Sequence, residues 1–170
     1  MESKIQIGCR RVAYVLLIVS SLFALYTSGF GLLSAMAQRS IHWLFMIVCI
    51  FLLYPIKKGK NINVLDIALA AVSALATLYV VFTWQRNALR IADPAVWEIA
   101  LCVIGVLLVL EATRRTMGMA MPIIAIIALA YAFLGPYIPG ALKHKGFSLS
   151  SLSSFLYTTS EGIFGMAMGT

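Results

Sequence analysis

Charged residues are scarce in this sequence. Asp, Glu, Lys and Arg make up 11% of its 170 residues, about half the charged fraction of an ordinary soluble domain. Hydrophobic residues reach 62%, and the mean hydropathy is +0.97. Alternating segments of the kind found in outer-membrane barrels are absent, which leaves spanning helices to satisfy the backbone polar groups in lipid. We therefore expect an all-α integral membrane protein.

The sequence also lacks the patterns that accompany catalysis or metal binding. Its three cysteines, Cys9, Cys49 and Cys102, have neither a metal-binding spacing nor the even number of a disulfide framework. No HExxH, GxSxG, P-loop or GxGxxG pattern occurs. The residues therefore give no reason to expect an enzyme or a cofactor held by this chain.

The net charge of +7 points to the membrane rather than to nucleic acid. Lys and Arg stand in short groups at the ends of apolar runs, without the basic stripe of a nucleic-acid-binding surface. With the N-terminus inside, eight basic residues lie on the inner side and five on the outer side, which the positive-inside rule favours. The same threading places three tryptophans at the outer interface. The inner basic residues are Lys4, Arg10, Arg11, Lys57, Lys58, Lys60, Arg114 and Arg115; the outer ones are Arg39, Arg86, Arg90, Lys143 and Lys145; the tryptophans are Trp43, Trp84 and Trp97.

The apolar runs predict five spans. Four are expected at about residues 12–33, 41–54, 64–84 and 95–111, and a fifth at 117–134. Asp93 and Pro94 read as the N-cap and first position of the fourth helix, and Pro122 predicts a kink near the start of the fifth. Leucines at helical spacing, set against serines, predict an amphipathic arm over 147–160. A glycine-rich element follows at 161–170 and stops within an apolar stretch, as a fragment would.

The charged pentapeptide Glu111-Ala112-Thr113-Arg114-Arg115 divides the sequence into two unlike parts. Spacings of three and four residues put Glu111 on one helical face with Arg114 and Arg115, in the favourable acid-first order. One interpretation is an exposed helix end, where such pairs add only a few tenths of a kcal/mol. The others are a contact with lipid phosphate or with another domain. Asp66, in the first turn of the third helix, suits the helix dipole.

Glu161 is the second candidate site residue. It is the only carboxylate in the last fifty residues, and an acidic residue inside a membrane is by default a functional hypothesis. It is a candidate for an ion or substrate path if the element around it enters the membrane. Otherwise it lies at the interface, as the preceding amphipathic arm does.

Five segments, taken together and in order, resemble one transporter family. They are residues 25–33 (LYTSGFGLL), 52–55 (LLYP), 109–115 (VLEATRR), 133–140 (FLGPYIPG) and 161–165 (EGIFG). As a set they resemble the start of the fused permeases of tripartite ATP-independent periplasmic (TRAP) transporters of the TAXI type. The match runs from about Phe23 to the end of the chain.

The resemblance implies a four-span scaffold domain, residues 1–115, fused to a large transport domain whose beginning is 116–170. It implies a bacterial or archaeal cytoplasmic membrane, sodium as the coupling ion, organic acids as substrates and a periplasmic substrate-binding protein as partner. The remainder of the transport domain and membrane lipids would be its other partners. Sodium and substrate sites of the family lie in the missing part, so no transport residue is carried over. The alternative is a small non-transporting membrane protein that assembles with, or stabilises, another membrane complex.

Overall fold

The fold is all-helical over the described part of the chain. The computed structural model describes residues 4–31, 33–56, 61–88, 95–158 and 162–163, and within them every regular element is a helix. Among the described residues, five helices are long and apolar enough to cross a membrane. The expected all-α membrane protein is thus confirmed, and the chain is multi-pass. The α-helices are α1 (Lys4–Phe30), α2 (Ala35–Leu53), α3 (Val64–Ala88), α4 (Val96–Met117), α5 (Ala120–Leu134) and the short α6 (Leu149–Ser153).

The first four helices pack antiparallel to their neighbours. The Cys49 thiol, late in α2, lies 3.6 Å from the carbonyl oxygen of Ala13, early in α1. Arg115, late in α4, is paired with Asp66, early in α3. One end of the bundle therefore holds the start of α1, the end of α2, the start of α3 and the end of α4, and we call it the Arg115 end. The opposite end, where α4 starts, is the Glu98 end.

Small side chains let the four helices approach closely. The main buried cluster takes Ala13 from α1, Phe51 from α2, Ala70 from α3 and Ala112 from α4. Phe51 is completely buried, and alanines from the other three helices surround this part of the core. Since lipid is as apolar as these side chains, close van der Waals packing rather than a hydrophobic driving force holds such helices together.

Two helices begin earlier than the apolar runs predict. Helix α1 begins at Lys4 rather than near residue 12, and α2 begins at Ala35 rather than near residue 41. Ser34 supplies the N-cap of α2, because its hydroxyl oxygen accepts a hydrogen bond from the Ala37 amide at 3.3 Å. Apolar runs mark the hydrocarbon, whereas a helix continues through polar interfacial residues until a cap ends it. Residues 35–40, which lie before the predicted second span, are therefore helical.

The joint between α4 and α5 is a glycine, not a proline kink. Helix α4 ends at Met117, and Gly118 has φ 88° and ψ −167°. Helix α5 begins at Ala120, so Pro122 lies in its first turn, where no intrahelical amide bond is needed. The kink predicted at Pro122 is therefore wrong, because the chain has already changed direction at Gly118. At the other end of α4, the predicted N-cap residues Asp93 and Pro94 lie outside the described residues.

The predicted amphipathic arm is shorter and less regular than expected. Helix α6 covers Leu149–Ser153, begins at the N-cap Ser148, and continues as a π-helical turn, Ser154–Thr158. Ser153 and Ser154 are buried rather than facing water, so the arm has no simple serine face. Residues 159–161 and 164–170 lie outside the described residues, and with them most of the glycine-rich element.

Candidate functional site

The Arg115 guanidinium is the centre of a buried ion cluster. Its side chain is 1% exposed. Nη1 donates to Asp66 Oδ1 at 2.7 Å and to the Tyr54 carbonyl oxygen at 2.9 Å, and Nε donates to Glu111 Oε1 at 2.8 Å. The ring of Phe51 lies 4.8 Å from the guanidinium carbon, within cation–π range. One side chain of α4 thereby binds the end of α2 and the start of α3.

Asp66 is the matching anion, and it is completely buried. Besides Arg115, its Oδ1 accepts from the Ile56 amide at 3.3 Å, and its Oδ2 accepts from the Asn63 amide at 2.9 Å. The carboxylate also lies in the first turn of α3, where the helix dipole favours negative charge. Asp66 thus fixes both ends of the connection between α2 and α3 as well as the end of α4.

Glu111 and Arg114 complete the cluster at its outer side. The Arg114 Nε and Nη2 groups donate to the two Glu111 carboxylate oxygens, each at 2.7 Å, in the parallel geometry that makes such pairs strong. These side chains are 35% and 24% exposed, so solvent screens them more than the inner pair. Asp66 and Glu111 balance Arg114 and Arg115, which makes the four-residue cluster formally neutral.

The structure brings together three of the four predicted site residues. Glu111, Arg114 and Arg115 are in direct contact, as their spacing predicts. The exposed helix-end interpretation is wrong for Arg115, because its guanidinium pairs with a buried acid from another helix. Glu161 lies outside the described residues. Asp66 was missed as a partner, although the threading already placed it at the same end of the bundle as Arg115.

A second buried carboxylate lies at the Glu98 end. Glu98 is 4% exposed. Its Oε2 accepts from the Ala95 amide at 2.8 Å, which caps α4, and its Oε1 accepts from the Tyr79 hydroxyl of α3 at 2.9 Å. The Trp97 ring meets the Tyr79 ring edge-on at 4.7 Å. The sequence gives no local signal for this contact, because the tyrosine lies nineteen residues before Glu98. Helices α3 and α4 are thus joined by a buried carboxylate at each end.

Two adjoining apolar cavities lie where α5 and α6 meet α4. The first has a volume of about 120 Å³ and is lined by residues such as Cys102, Leu129 and Leu152. The second, of about 320 Å³, lies between α4 and α5 and includes Leu110 and Ala125. Apolar walls of this kind suit lipid chains or other apolar side chains and provide no polar group to orient a soluble substrate.

The ion cluster at the Arg115 end is a structural joint between helices. Each charged group of the cluster is bonded to another or to backbone, which holds three helices in a fixed relation. Within the described ranges, no group of three or more His, Cys, Asp or Glu side chains could hold a metal ion.

Comparison with protein families, curated proteins and solved structures finds nothing that matches this chain.

Proposed function

We propose that this chain is the scaffold domain, with the beginning of the transport domain, of a sodium-driven TRAP-type permease that imports organic acids. The observation that carries the proposal is the joint at the Arg115 end. There α2, α3 and α4 are bonded together by a buried ion cluster, and α5 follows only after the break at Gly118. A static scaffold must keep its helices in a fixed arrangement and must be joined flexibly to the domain that moves. The ion cluster and the break at Gly118 provide these two features.

The packing of α5 supports the same proposal. Helix α5 packs chiefly against α4 among the long helices, and its outward residues are widely exposed, Ile124 by 61% and Ile127 by 63%. Such a face meets lipid or another apolar protein surface. The proposal assigns it to the remainder of the transport domain, and it places the N-terminus in the cytoplasm of a bacterial or archaeal cell. The periplasmic binding protein would then dock at the Glu98 end.

The proposal is tested by sodium-dependent uptake. Proteoliposomes would hold this chain, the remainder of a TRAP transport domain and its periplasmic binding protein, and a matched set would lack this chain. We expect uptake of a labelled organic acid only when the chain, the binding protein and an inward sodium gradient are all present. The chain alone should give no uptake, because the residues expected to bind sodium and substrate lie elsewhere. Uptake that is equal with and without the chain would rule out the scaffold role.

The second candidate is a small membrane protein that stabilises another complex. The exposed apolar residues of α1, among them Ile18 and Leu22 at 61% each, favour it, since they form a second unpartnered face. Cysteine crosslinking separates the candidates. Crosslinks from α5 to the co-expressed transport domain support the permease proposal, whereas crosslinks only to unrelated membrane proteins support the alternative.

A further inference from the structure

A polar pocket of about 100 Å³ lies between α1 and α2, close to the Glu98 end of the bundle. The two helices are antiparallel, so the last turns of α1 face the first turns of α2. We call this cavity the Arg39 pocket, and polar side chains distinguish it from the apolar cavities beside α4. The described residues that line it are Phe23, Ala24 and Thr27 of α1 and Gln38, Arg39 and His42 of α2.

The pocket reaches from the interior of the helix pair to its surface. Thr27 is 4% exposed, and its hydroxyl donates to the Phe23 carbonyl at 3.0 Å. Ala24 is exposed, and its methyl group is the smallest side chain of the lining. The Phe23 ring packs against the ring of Phe45 on α2, with centroids 6.2 Å apart. A small ligand can therefore enter beside Ala24 without separating the two helices.

The α2 side of the pocket offers hydrogen-bond donors and a positive charge. The Arg39 guanidinium is always charged and carries five N–H donors, the Gln38 amide carries two, and the His42 ring carries one or two according to its protonation state. The three side chains are half-buried and lie three or four residues apart or next to each other on one helix. Among the described residues that line the pocket, none is acidic. This lining suits an anion with several acceptor oxygens.

Other interactions of these residues leave room for such an anion. Arg39 already has a partner, but the fork of a guanidinium can bind more than one acceptor. The acidic side chains of the described residues are Asp66, Glu98 and Glu111, and their hydrogen-bond donors lie outside the pocket. The site therefore does not require Arg39 to be unpaired.

The pocket lies at the depth where hydrocarbon gives way to lipid headgroups. Helix α2 has 19 residues, which rise about 28 Å and match the hydrocarbon thickness of about 30 Å. Arg39 is the fifth residue of α2, and Thr27 is the fourth from the end of α1. Each is thus about one helical turn from the membrane surface. A long arginine side chain at this depth extends its charge toward the phosphate groups of the lipids.

We propose that the Arg39 pocket binds a phosphate group, either the phosphodiester of a membrane phospholipid or free phosphate. A tetrahedral phosphate presents acceptor oxygens in several directions, so Arg39, Gln38 and His42 can each donate to it, and arginine binds phosphate in a forked geometry. A phospholipid bound there would lay its chains over Ala24 and Phe23.

Such a ligand would hold α1 on the bundle. Helix α1 packs chiefly against α2, so a group that contacts both helices at the Glu98 end would strengthen their pairing there. This role does not depend on the permease proposal.

Native mass spectrometry of the delipidated chain in detergent tests the site. Wild-type chain and Arg39→Gln would be mixed and given phosphatidylglycerol. We expect the variant to bind about tenfold more weakly or less, the order that the loss of one charge-assisted hydrogen bond gives. Arg39→Lys should bind with intermediate affinity, because lysine keeps the charge but lacks the fork.

The matched control is Arg11→Gln, which removes the same charge from an exposed position near the start of α1, at the opposite end of the bundle. Its affinity for the lipid should equal that of the wild type. If Arg39→Gln fails to fold, Ala24→Phe decides, since it fills the pocket from an exposed position without changing the charge. Ala24→Phe should also bind about tenfold more weakly, whereas Ala71→Phe, at an exposed alanine of α3, should bind normally.

Two further ligands identify what the pocket recognises. A glycolipid with the same chains but no phosphate should bind at least about tenfold more weakly than phosphatidylglycerol. Displacement of phosphatidylglycerol by inorganic phosphate would assign the pocket to phosphate itself, and a lack of displacement would assign it to the lipid phosphodiester. Equal binding of the glycolipid would overturn the proposal. So would equal binding by Arg39→Gln and Arg11→Gln, or by Ala24→Phe and Ala71→Phe.

Discussion

Arg115 differs from its neighbour Arg114 in what it touches, although the two are identical in type and adjacent in sequence. Arg115 is 1% exposed and bonds to a buried acid of another helix, whereas Arg114 is 35% exposed and bonds to Glu111 within its own helix. A buried ion pair gains little over apolar packing, but breaking it leaves one charge in a medium that cannot solvate it. The two arginines should therefore respond very differently to the same substitution.

We predict that Arg115→Met lowers the free energy of unfolding by about 3–5 kcal/mol, because the buried Asp66 carboxylate then has no positively charged partner. Arg114→Met should cost less than about 1 kcal/mol, since it removes a partly solvated pair. Unfolding of the purified chain in mixtures of SDS and mild detergent, followed by circular dichroism, measures both values. Equal decreases in the free energy of unfolding for Arg115→Met and Arg114→Met would mean that Asp66 and Arg115 are not paired. The double variant Asp66→Asn with Arg115→Met should lose less than the sum of the single variants, since neither charge then remains alone.

Tyr79 gives a second test at the opposite end of the bundle. Tyr79→Phe removes the hydroxyl that donates to the buried Glu98 carboxylate and should cost about 1–3 kcal/mol, because a buried acceptor loses its partner. Tyr14→Phe is the control, since Tyr14 is 52% exposed and substitutions at such sites usually change stability by less than about 0.5 kcal/mol. The same SDS titration compares them. A Tyr79 variant as stable as the Tyr14 variant would show that Glu98 does not depend on the phenol.

At the scale of elements, Gly118 is the position that separates the four-helix bundle from α5. Its φ of 88° and ψ of −167° lie in a region that is essentially restricted to glycine. A Cβ built there meets no atom within 4 Å. The cost of a side chain would thus come from the backbone alone.

We predict that Gly118→Ala destabilises the chain by about 1–3 kcal/mol through backbone strain. Gly29→Ala is the matched control, since Gly29 is helical and its added Cβ is equally free of contacts. In a helix the change from glycine to alanine is neutral or stabilising by up to about 1 kcal/mol. Thermal unfolding in detergent should therefore show changes in stability of opposite sign for the two variants. A Gly118→Ala variant that matches Gly29→Ala would mean that the joint tolerates other conformations.

The elements themselves were predictable from the sequence, but their ends and their contacts were less so. Apolar runs locate the five long helices, because lipid imposes one pattern on every span. The start of α2 was predicted too late because Ser34 can cap a helix in polar sequence. The kink predicted at Pro122 was wrong because a proline in a first turn does not bend a helix. Asp66 and Arg115 are separated by 49 residues in sequence. The only indication of their pairing was that the predicted spans put both residues at the same end of the bundle.

At the scale of the whole molecule, the sequence assigns more basic residues to one side of the membrane than to the other. The tryptophans separate the two sides less clearly in the structure than in the sequence. Trp43 was expected at the outer interface, yet it is the ninth residue of α2 and packs against both buried clusters. Trp97, at the start of α4, is 47% exposed and suits an interface. The side chain of Trp84 lies outside the described part. The orientation proposal therefore depends mainly on the basic residues.

That proposal is tested with single cysteines at the two ends of the bundle. The basic residues favour the Arg115 end in the cytoplasm, because Lys and Arg near the ends of spans set orientation. Leu33→Cys lies between α1 and α2 at the Glu98 end, and Met117→Cys lies at the end of α4; the native side chains are 41% and 70% exposed. In a chain without other cysteines, a membrane-impermeant maleimide should label Leu33→Cys in intact spheroplasts and Met117→Cys only after permeabilisation. The reverse pattern would place the N-terminus outside and would also remove the periplasmic docking surface that the permease proposal assigns to the Glu98 end.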